Sequence, residues 1–295
     1  MQIAFTYVVP PTAGAFTPNL KALAKASVID NRILADSETF AEEFVLETAD
    51  ADAFRAEVAQ DFEGAPVDWC VQPAEGRRKR LLVADMDSTI INVECLDELA
   101  DYAGLKAEIA EITERAMRGE LEFEGALRER VGKLKGLATT ALQQAYDERV
   151  RLNPGARTLV RTMAANGARC VLVSGGFTFF TSRVAEAAGF HANRANTLNE
   201  ADGRLSGTVG EPILGREAKL AALREEAAGL GVDLAATLAI GDGANDLAMI
   251  KASGLGVAYR AKPVVAAEAH CKVDHADLTA VLYFQGYAAD ALVTD

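Results

Sequence analysis

The apolar run Leu81-Leu-Val-Ala84 delivers two carboxylates two residues apart, Asp85 and Asp87, followed by Ser88-Thr89. Like charges at that spacing repel, and each disfavours ionisation of the other. A divalent cation is the simplest compensation. Mg2+ takes a few carboxylates and fills its shell with water and phosphate oxygens. A second acidic loop, Gly241-Asp242-Gly243-Ala244-Asn245-Asp246, also follows a predicted strand. It lacks the length and terminal glutamate of an EF-hand. Taken singly, the Asp85/Asp87 pair also reads as turn residues or a helix N-cap, and the second loop as a Gly-rich turn. If the two strands are neighbours, their carboxylates meet.

Two further features suit an anion. Ser174-Gly175-Gly176 follows the run Cys170–Val173 and precedes a helical stretch expected near Phe177. A hydroxyl and free N–H groups at a helix start make an anion site, although a plain strand-to-helix turn looks the same. Lys219 opens the helical stretch Glu217–Ala228 and could supply a cation, though most lysines are simply solvated. Phosphate monoesters are among the slowest-hydrolysing compounds known, and a carboxylate nucleophile splits that difficult step into two easier ones.

The elements that must position these groups are legible in outline. Residues 81–84, 170–173, 237–240 and 255–258 are apolar runs that alternate with helical stretches, each ending in a small-residue or acidic loop. This predicts a doubly wound parallel sheet with its site at the carboxyl ends of the strands. Residues from about 94 to 152 are mostly helical and too long for an ordinary crossover, which predicts a helical cap. Asp202-Gly203 predicts a β-hairpin within 194–209. Before all this, residues 1–76 read as a small α/β domain with strands near 3–9, 43–47 and 67–71 and helices near 19–26 and 52–62. The basic run Arg77-Arg-Lys-Arg80 reads as a solvated linker, and residues from 80 to 295 as the main domain.

Composition narrows the function. Of 295 residues, 25% are charged and the formal net charge is −13, which argues against general nucleic-acid or anionic-membrane binding. An anionic substrate must then meet a local cation. Cys70, Cys95, Cys170 and Cys271 form no C-x-x-C pair, and reduced thiols in a cytoplasmic protein are the expectation. No segment is long and apolar enough to span a bilayer. His191, His270 and His275 have no motif around them.

In the cap, Phe123, Leu127, Val131 and Leu134 recur at helical spacing. At about 100° per residue, Arg130 falls about 20° from Phe123, in the middle of the apolar face, while Arg128 falls about 140° away and can be solvated. A charge on an apolar face needs a partner. A substrate carboxylate held bidentately would serve, and so would a structural ion pair with a cap glutamate. Glu94, at the cap entrance, reads equally as a first-turn carboxylate.

The order Asp85-Met-Asp87-Ser-Thr, Ser174-Gly175, Lys219, Gly241-Asp242-Gly-Ala-Asn245-Asp246 resembles the four motifs of the haloacid dehalogenase-like phosphatases. Ile112-Thr-Glu-Arg-Ala-Met117-Arg-Gly-Glu-Leu, Val173-Ser-Gly-Gly-Phe-Thr and Ala239-Ile-Gly-Asp-Gly-Ala-Asn-Asp narrow the resemblance to the bacterial phosphoserine phosphatases. It covers about residues 80–282; the N-terminal segment resembles that family's variable extension only loosely. The resemblance implies Mg2+-dependent hydrolysis of O-phosphoserine, the last step of serine biosynthesis. Asp85 would be the nucleophile and Asp87 the general acid and base. Asp85, the carbonyl of Asp87 and Asp242 would hold the metal, with Asp246 supporting them. Ser174, Gly175, Lys219 and Asn245 would bind the phosphoryl group, Arg130 and Glu94 the amino-acid end, and Met117 and Phe123 the apolar wall.

Three other functions use related residues. A response-regulator receiver carries its acidic pair and its phosphoacceptor on different strands, unlike Asp85-x-Asp87. A phosphotransferase to a small alcohol would use the same residues. A non-catalytic amino-acid sensor would not need the complete set. The sequence leaves the oligomeric state and the role of the N-terminal domain open.

Overall fold

The computed structural model describes residues 1–14, 16, 18, 20–117, 120–215 and 217–294, with the side chains of residues 114, 116 and 117 outside that description. The chain begins with strands β1 (Gln2–Val9), β2 (Ser27–Asp36) and β3 (Phe40–Glu47), helix α1 (Ala51–Asp61) and strand β4 (Asp68–Pro73). They form an antiparallel sheet in the order β2-β3-β1-β4. Alternation along β1 sends Ile3, Phe5, Tyr7 and Val9 to a core shared with Phe54 and Val58 of α1. Val8 points the other way and joins the main core with Leu34, Ala41 and Cys70. The Asp50 carboxylate caps α1 by accepting from the N–H groups of Asp52 and Ala53.

β2 departs from the sequence expectation. Its first seven residues are exposed, it carries Asp30-Asn-Arg32, and bulges interrupt its register twice. An exposed, bulged edge strand shows no period-two signal, so the pattern hides it. The helix expected over 19–26 is a single 3-10 turn, Leu23–Lys25, and Asn19 lies outside the described residues.

The second sheet has the order β12-β11-β10-β5-β6-β7 and is parallel throughout. Its strands are β5 (Leu81–Ala84), β6 (Arg169–Phe177), β7 (Ala192–Asn196), β10 (Thr237–Gly241), β11 (Leu255–Tyr259) and β12 (Cys271–Val273). Leu82, Ala84, Leu172 and Ile240 face one core, and Leu81, Val83, Val171 and Ala239 the other. Burial on both faces is why these strands read as continuous apolar runs. From β5 the chain winds to one side through β6 and β7, then returns to the other side at β10. The carboxyl ends of β5 and β10 therefore flank the point where strand order reverses, where α/β sheets form crevices.

Helices α2 (Cys95–Tyr102), α3 (Lys106–Met117), α4 (Phe123–Lys133) and α5 (Thr140–Arg149) follow β5 before α6 (Ala156–Ala165) leads into β6. Helix α7 (Thr178–Ala188) joins β6 to β7. A hairpin of β8 (Leu198–Ala201) and β9 (Arg204–Val209) turns at Asp202 and Gly203, φ +51° and +71°. Both lie in the left-handed region that the tight two-residue turn demands. Helices α8 (Ala218–Leu230), α9 (Leu247–Ala252), α10 (Pro263–Ala266) and α11 (Ala280–Phe284) complete the fold.

The basic run 77–80 is not a solvated linker. Arg77 is bound to the buried Glu43 carboxylate at 2.9 Å. Lys79 is 7% exposed and donates to the carbonyls of Gly76 and Ala235. The buried Asp68 carboxylate on β4 accepts from the backbone N–H groups of Asp274, His275 and Ala276, and Gln72 donates to the Phe284 carbonyl. The first sheet is thus hydrogen-bonded to the second half of the chain. Among the described residues no helix is long and apolar enough to cross a membrane, and all four cysteines are buried free thiols.

Candidate active site

Register brings the two acidic loops together. Ala84 pairs with Ile240, and the Asp85 N–H donates to the Ile240 carbonyl at 3.0 Å. Asp85, Asp242 and Asp246 each present a carboxylate oxygen within 4.8 Å of the others. Lys219, 4% exposed in the first turn of α8, reaches into this cluster. Its Nζ lies 2.7 Å from Asp85 Oδ1 and 2.6 Å from Asp246 Oδ1. Burial pulls the Lys219 ammonium down, but the two carboxylates outweigh it and hold the ammonium above its ordinary value.

Each carboxylate has a distinct environment. Asp85 Oδ1 accepts from the Met86 N–H at 2.8 Å. Asp246 is fully buried, and its second oxygen accepts from the Gly243 N–H at 3.0 Å. A Cβ on Gly241 would lie 2.3 Å from the Asp246 carboxyl carbon, so only glycine fits there. Asp242 accepts from the Thr89 hydroxyl, and burial followed by the Asp85 and Glu94 charges pushes it up to about 6.

Asp87 is held differently. Its Oδ1 accepts from the Cys95 N–H at 2.9 Å, which caps α2, and its Oδ2 accepts from the Ser174 hydroxyl at 3.1 Å. Burial, then the charges of Glu94 and Asp85, pushes the Asp87 carboxyl up to about 7. It can therefore hold a proton near neutrality, as a general acid must. The turn Met86–Ile90, which follows Asp85 and contains Asp87, places Ser88 at φ +56°. The Ser88 hydroxyl there donates to Glu94 Oε1 at 2.7 Å.

Glu94 therefore faces the Met86–Ile90 turn and makes no side-chain cap to its own helix. Withdrawal from water and the Asp85 and Asp97 charges push its carboxyl up, against the Ser88 hydrogen bond. Phe123 opens α4, and its ring reaches the Ser174-Gly175-Gly176 segment: a Cβ on Gly175 would lie 3.3 Å from Phe123 Cζ. Arg130 lies two turns further along α4. Its Nε donates to the Ala126 carbonyl, and among the described residues it makes no ion pair. Burial pulls its guanidinium down while the Asp97 and Glu94 charges hold it up. Arg128 is half-exposed and pairs with Glu124 and Glu211, as its angle on the helix required. The side chain of Met117 lies outside the described residues.

The Ser174-Gly175-Gly176 segment is not a helix start. It belongs to β6, and α7 begins only at Thr178. Any anion there meets extended backbone and the Ser174 hydroxyl instead of a helix N-terminus. Asn245 sits in the second acidic loop with its Oδ1 2.4 Å from where a Gly243 Cβ would stand.

Sequence reasoning missed three supporting residues. Asn153 donates through Nδ2 to the carbonyls of Thr89 and Ile91, tying the Met86–Ile90 turn to the chain entering α6. Buried Asn196 bonds Gly175 and Leu214. Lys262 lies close enough to Asp242 and Glu94 for its charge to ease both. Isolated loop residues carry no periodic signal; only the Asn153-Pro-Gly string marked a turn.

This geometry can do three things. It can hold a divalent cation on carboxylates that outnumber their cations, offer Asp85 as a nucleophile, and keep a proton on Asp87. The profile of the haloacid dehalogenase-like hydrolases matches residues 82–251. A phosphoserine phosphatase from Streptomyces coelicolor is 44% identical over 89% of this chain, which spans 66% of that relative's length. A haloacid dehalogenase family hydrolase from Salmonella enterica superposes with a TM-score of 0.83 at 27% identity, over 96% of this chain and 98% of the other. A phosphoserine phosphatase solved as a phospho-aspartyl intermediate analogue superposes with a TM-score of 0.65 at 37% identity, over 70% and 98%. With its acidic loops at adjacent strand ends and that match across more than half its length, the chain belongs to the haloacid dehalogenase-like hydrolases.

Proposed function

We propose that this protein is a Mg2+-dependent phosphoserine phosphatase, hydrolysing O-phosphoserine to serine and phosphate through an aspartyl-phosphate on Asp85. The observation that carries the reading is the cluster in which Asp85, Asp242 and Asp246 converge on Lys219 beside a raised Asp87 carboxyl. Asp85 attacks phosphorus. Lys219, the Gly175 N–H and Ser174, with Asn245, hold the phosphoryl oxygens, and fixed donors of this kind stabilise the charge that develops there. Asp87 gives its proton to the departing serine oxygen. It then takes one from the water that opens the intermediate, since an acid in one step serves as base in the next.

The donor set suits a small hard cation: carboxylate oxygens of Asp85 and Asp242 with the Asp87 carbonyl, and Asp246 fixed behind them by Lys219 and Gly243. Bound there, Mg2+ would neutralise phosphoryl charge. Together with Lys219 it also lets an acidic protein accept an anion. Helices α2–α5 form the cap. Arg130 and Glu94 carry opposite charges close enough to act on each other and suit the carboxylate and ammonium of serine, and Phe123 closes the apolar side beside Gly175. The names of the 44%- and 37%-identical relatives support this substrate. Such an activity supplies the last step of serine biosynthesis. The buried free thiols suit a reducing compartment such as the cytoplasm.

The test is phosphate release with Mg2+ over a panel of phosphate esters, with alcohols as alternative acceptors, on wild type and Asp85→Asn. Phosphoserine should be preferred, water should be the acceptor, and Asp85→Asn should lose at least about a thousandfold in kcat. Undiminished Asp85→Asn activity overturns the mechanism, and preference for a sugar phosphate overturns the substrate.

A further inference from the structure

We propose that Asn196 is a positioning residue for this reaction: its carboxamide fixes the Gly175–Gly176 peptide plane and, through it, aims the Ser174 hydroxyl at the Asp87 carboxylate. The inference rests on reading the site as a phosphatase. It adds a residue that the four motifs do not contain.

The cause lies in the sheet. β6 and β7 keep register to Val173–Arg194 and regain it at Phe177–Asn196. Four residues of β6, 174 to 177, thus stand against two of β7, and the extra residues leave the ladder without regular partners. A part-buried backbone carbonyl there takes its hydrogen bond from another donor. Asn196, 2% exposed at the end of β7, provides it: Nδ2 donates to the Gly175 carbonyl at 2.8 Å. The orientation of the carboxamide is forced, because its Oδ1 accepts from the Leu214 N–H at 2.7 Å.

The rest is a chain of single bonds. The Gly175–Gly176 peptide has its carbonyl held by Asn196 and its N–H donated to Ser174 Oγ at 2.8 Å. With that acceptor position of the hydroxyl filled, its proton is free to reach Asp87 Oδ2 at 3.1 Å. Space is as tight as the bonding: a Cβ on Gly176 would stand 3.0 Å from Ser174 Oγ and 3.1 Å from Asp87 Oδ2. Asn196 touches neither substrate nor reacting atoms, so its effect must pass through Ser174.

A double-mutant cycle reads this directly. Asn196→Ala should lower kcat about tenfold and leave KM within about twofold, because the loss falls on alignment in the transition state. In a Ser174→Ala background the same change should cost less than about twofold. Asn196→Ser, which keeps a hydroxyl in the space, should recover part of the loss, and it carries the cycle if Asn196→Ala does not fold. Circular dichroism and thermal unfolding identify the variants that are folded. An unchanged kcat in a folded Asn196 variant overturns the proposal, as does an equal loss with and without the Ser174 hydroxyl, which is what lost packing alone would give. Wild-type protein that releases no phosphate from any ester would instead overturn the phosphatase reading beneath it.

Discussion

At Glu43 one buried carboxylate meets two guanidiniums; at Lys219 one buried ammonium meets a group of aspartates. Glu43 is fully covered and accepts from Nε and Nη2 of both Arg32 and Arg77 at 2.8–3.0 Å. Arg32 also donates to the Gly286 carbonyl, so this cluster fastens the first sheet to the end of the chain. Every oxygen there is used and cations are in excess. Around Lys219 the balance is reversed: Asp85 and Asp246 bind it, and Asp242 and Asp87 crowd behind with carboxyls raised to about 6 and 7. A closed cluster gives cohesion, whereas an overfilled one holds negative charge in reserve for a cation. Structural and chemical charge clusters in this chain are thus distinguished by stoichiometry more than by burial.

Four measurements can break or sharpen that contrast. The largest difference should appear in stability. Glu43→Ala leaves two guanidiniums without their partner and should cost about 3 kcal/mol, the low end for a broken buried pair because both keep some solvent contact. Asp85→Asn should stay within about 1 kcal/mol of wild type, since lost attraction to Lys219 is offset by relief from Asp242 and Asp246. Urea unfolding of the two variants decides; equal losses would erase the contrast. Next, Mg2+ at a hundred times its dissociation constant should stabilise the folded protein by about 2.7 kcal/mol, reversed by chelator. Asp242→Asn should shrink that shift and Glu43→Ala should not.

Arg130→Ala should cost about 2 kcal/mol in kcat/KM for phosphoserine while sparing simple aryl phosphates. Equal loss on both substrates would make Arg130 a structural cation, like Arg32. The smallest effect is on pH. In the proposed mechanism Asp87 gives its proton to the serine oxygen, so kcat/KM should fall as pH rises through its pKa, about 7 without a bound cation and lower with one. The fall should approach tenfold per pH unit, and Asp87→Asn should abolish this limb. A rate that keeps rising to alkaline pH removes Asp87 from the acid's role.

How far the sequence reached depended on what each residue's signal was. The parallel strands were legible because burial on both faces writes continuous apolar runs, as in Leu81–Ala84, 0% exposed throughout. The turn at Asp202-Gly203 was legible because its backbone demands those residue types. β2 was not, because an exposed and bulged edge strand buries too little to impose a pattern. Arg77 and Lys79 read as linker because four basic residues in a row look solvated, and nothing local announces Glu43 or the Ala235 carbonyl as partners. Asn196 was silent for the same reason, and around Asn153 only a turn was legible.

By itself, then, the sequence determined the identity and order of the chemical groups: Asp85, Asp87, Ser174, Lys219, Asp242 and Asp246 at the ends of strands or the start of a helix. Local chain geometry sets those positions. Only the tertiary structure decided which charges meet and how they are compensated. The 2.7 Å approach of Lys219 to Asp85 spans 134 residues of sequence, the burial that raises Asp87 comes from packing, and the Asn196 bond to Gly175 exists because two strands fall out of register. Such contacts arise from sheet order and packing across the whole chain, and no local window of residues encodes them.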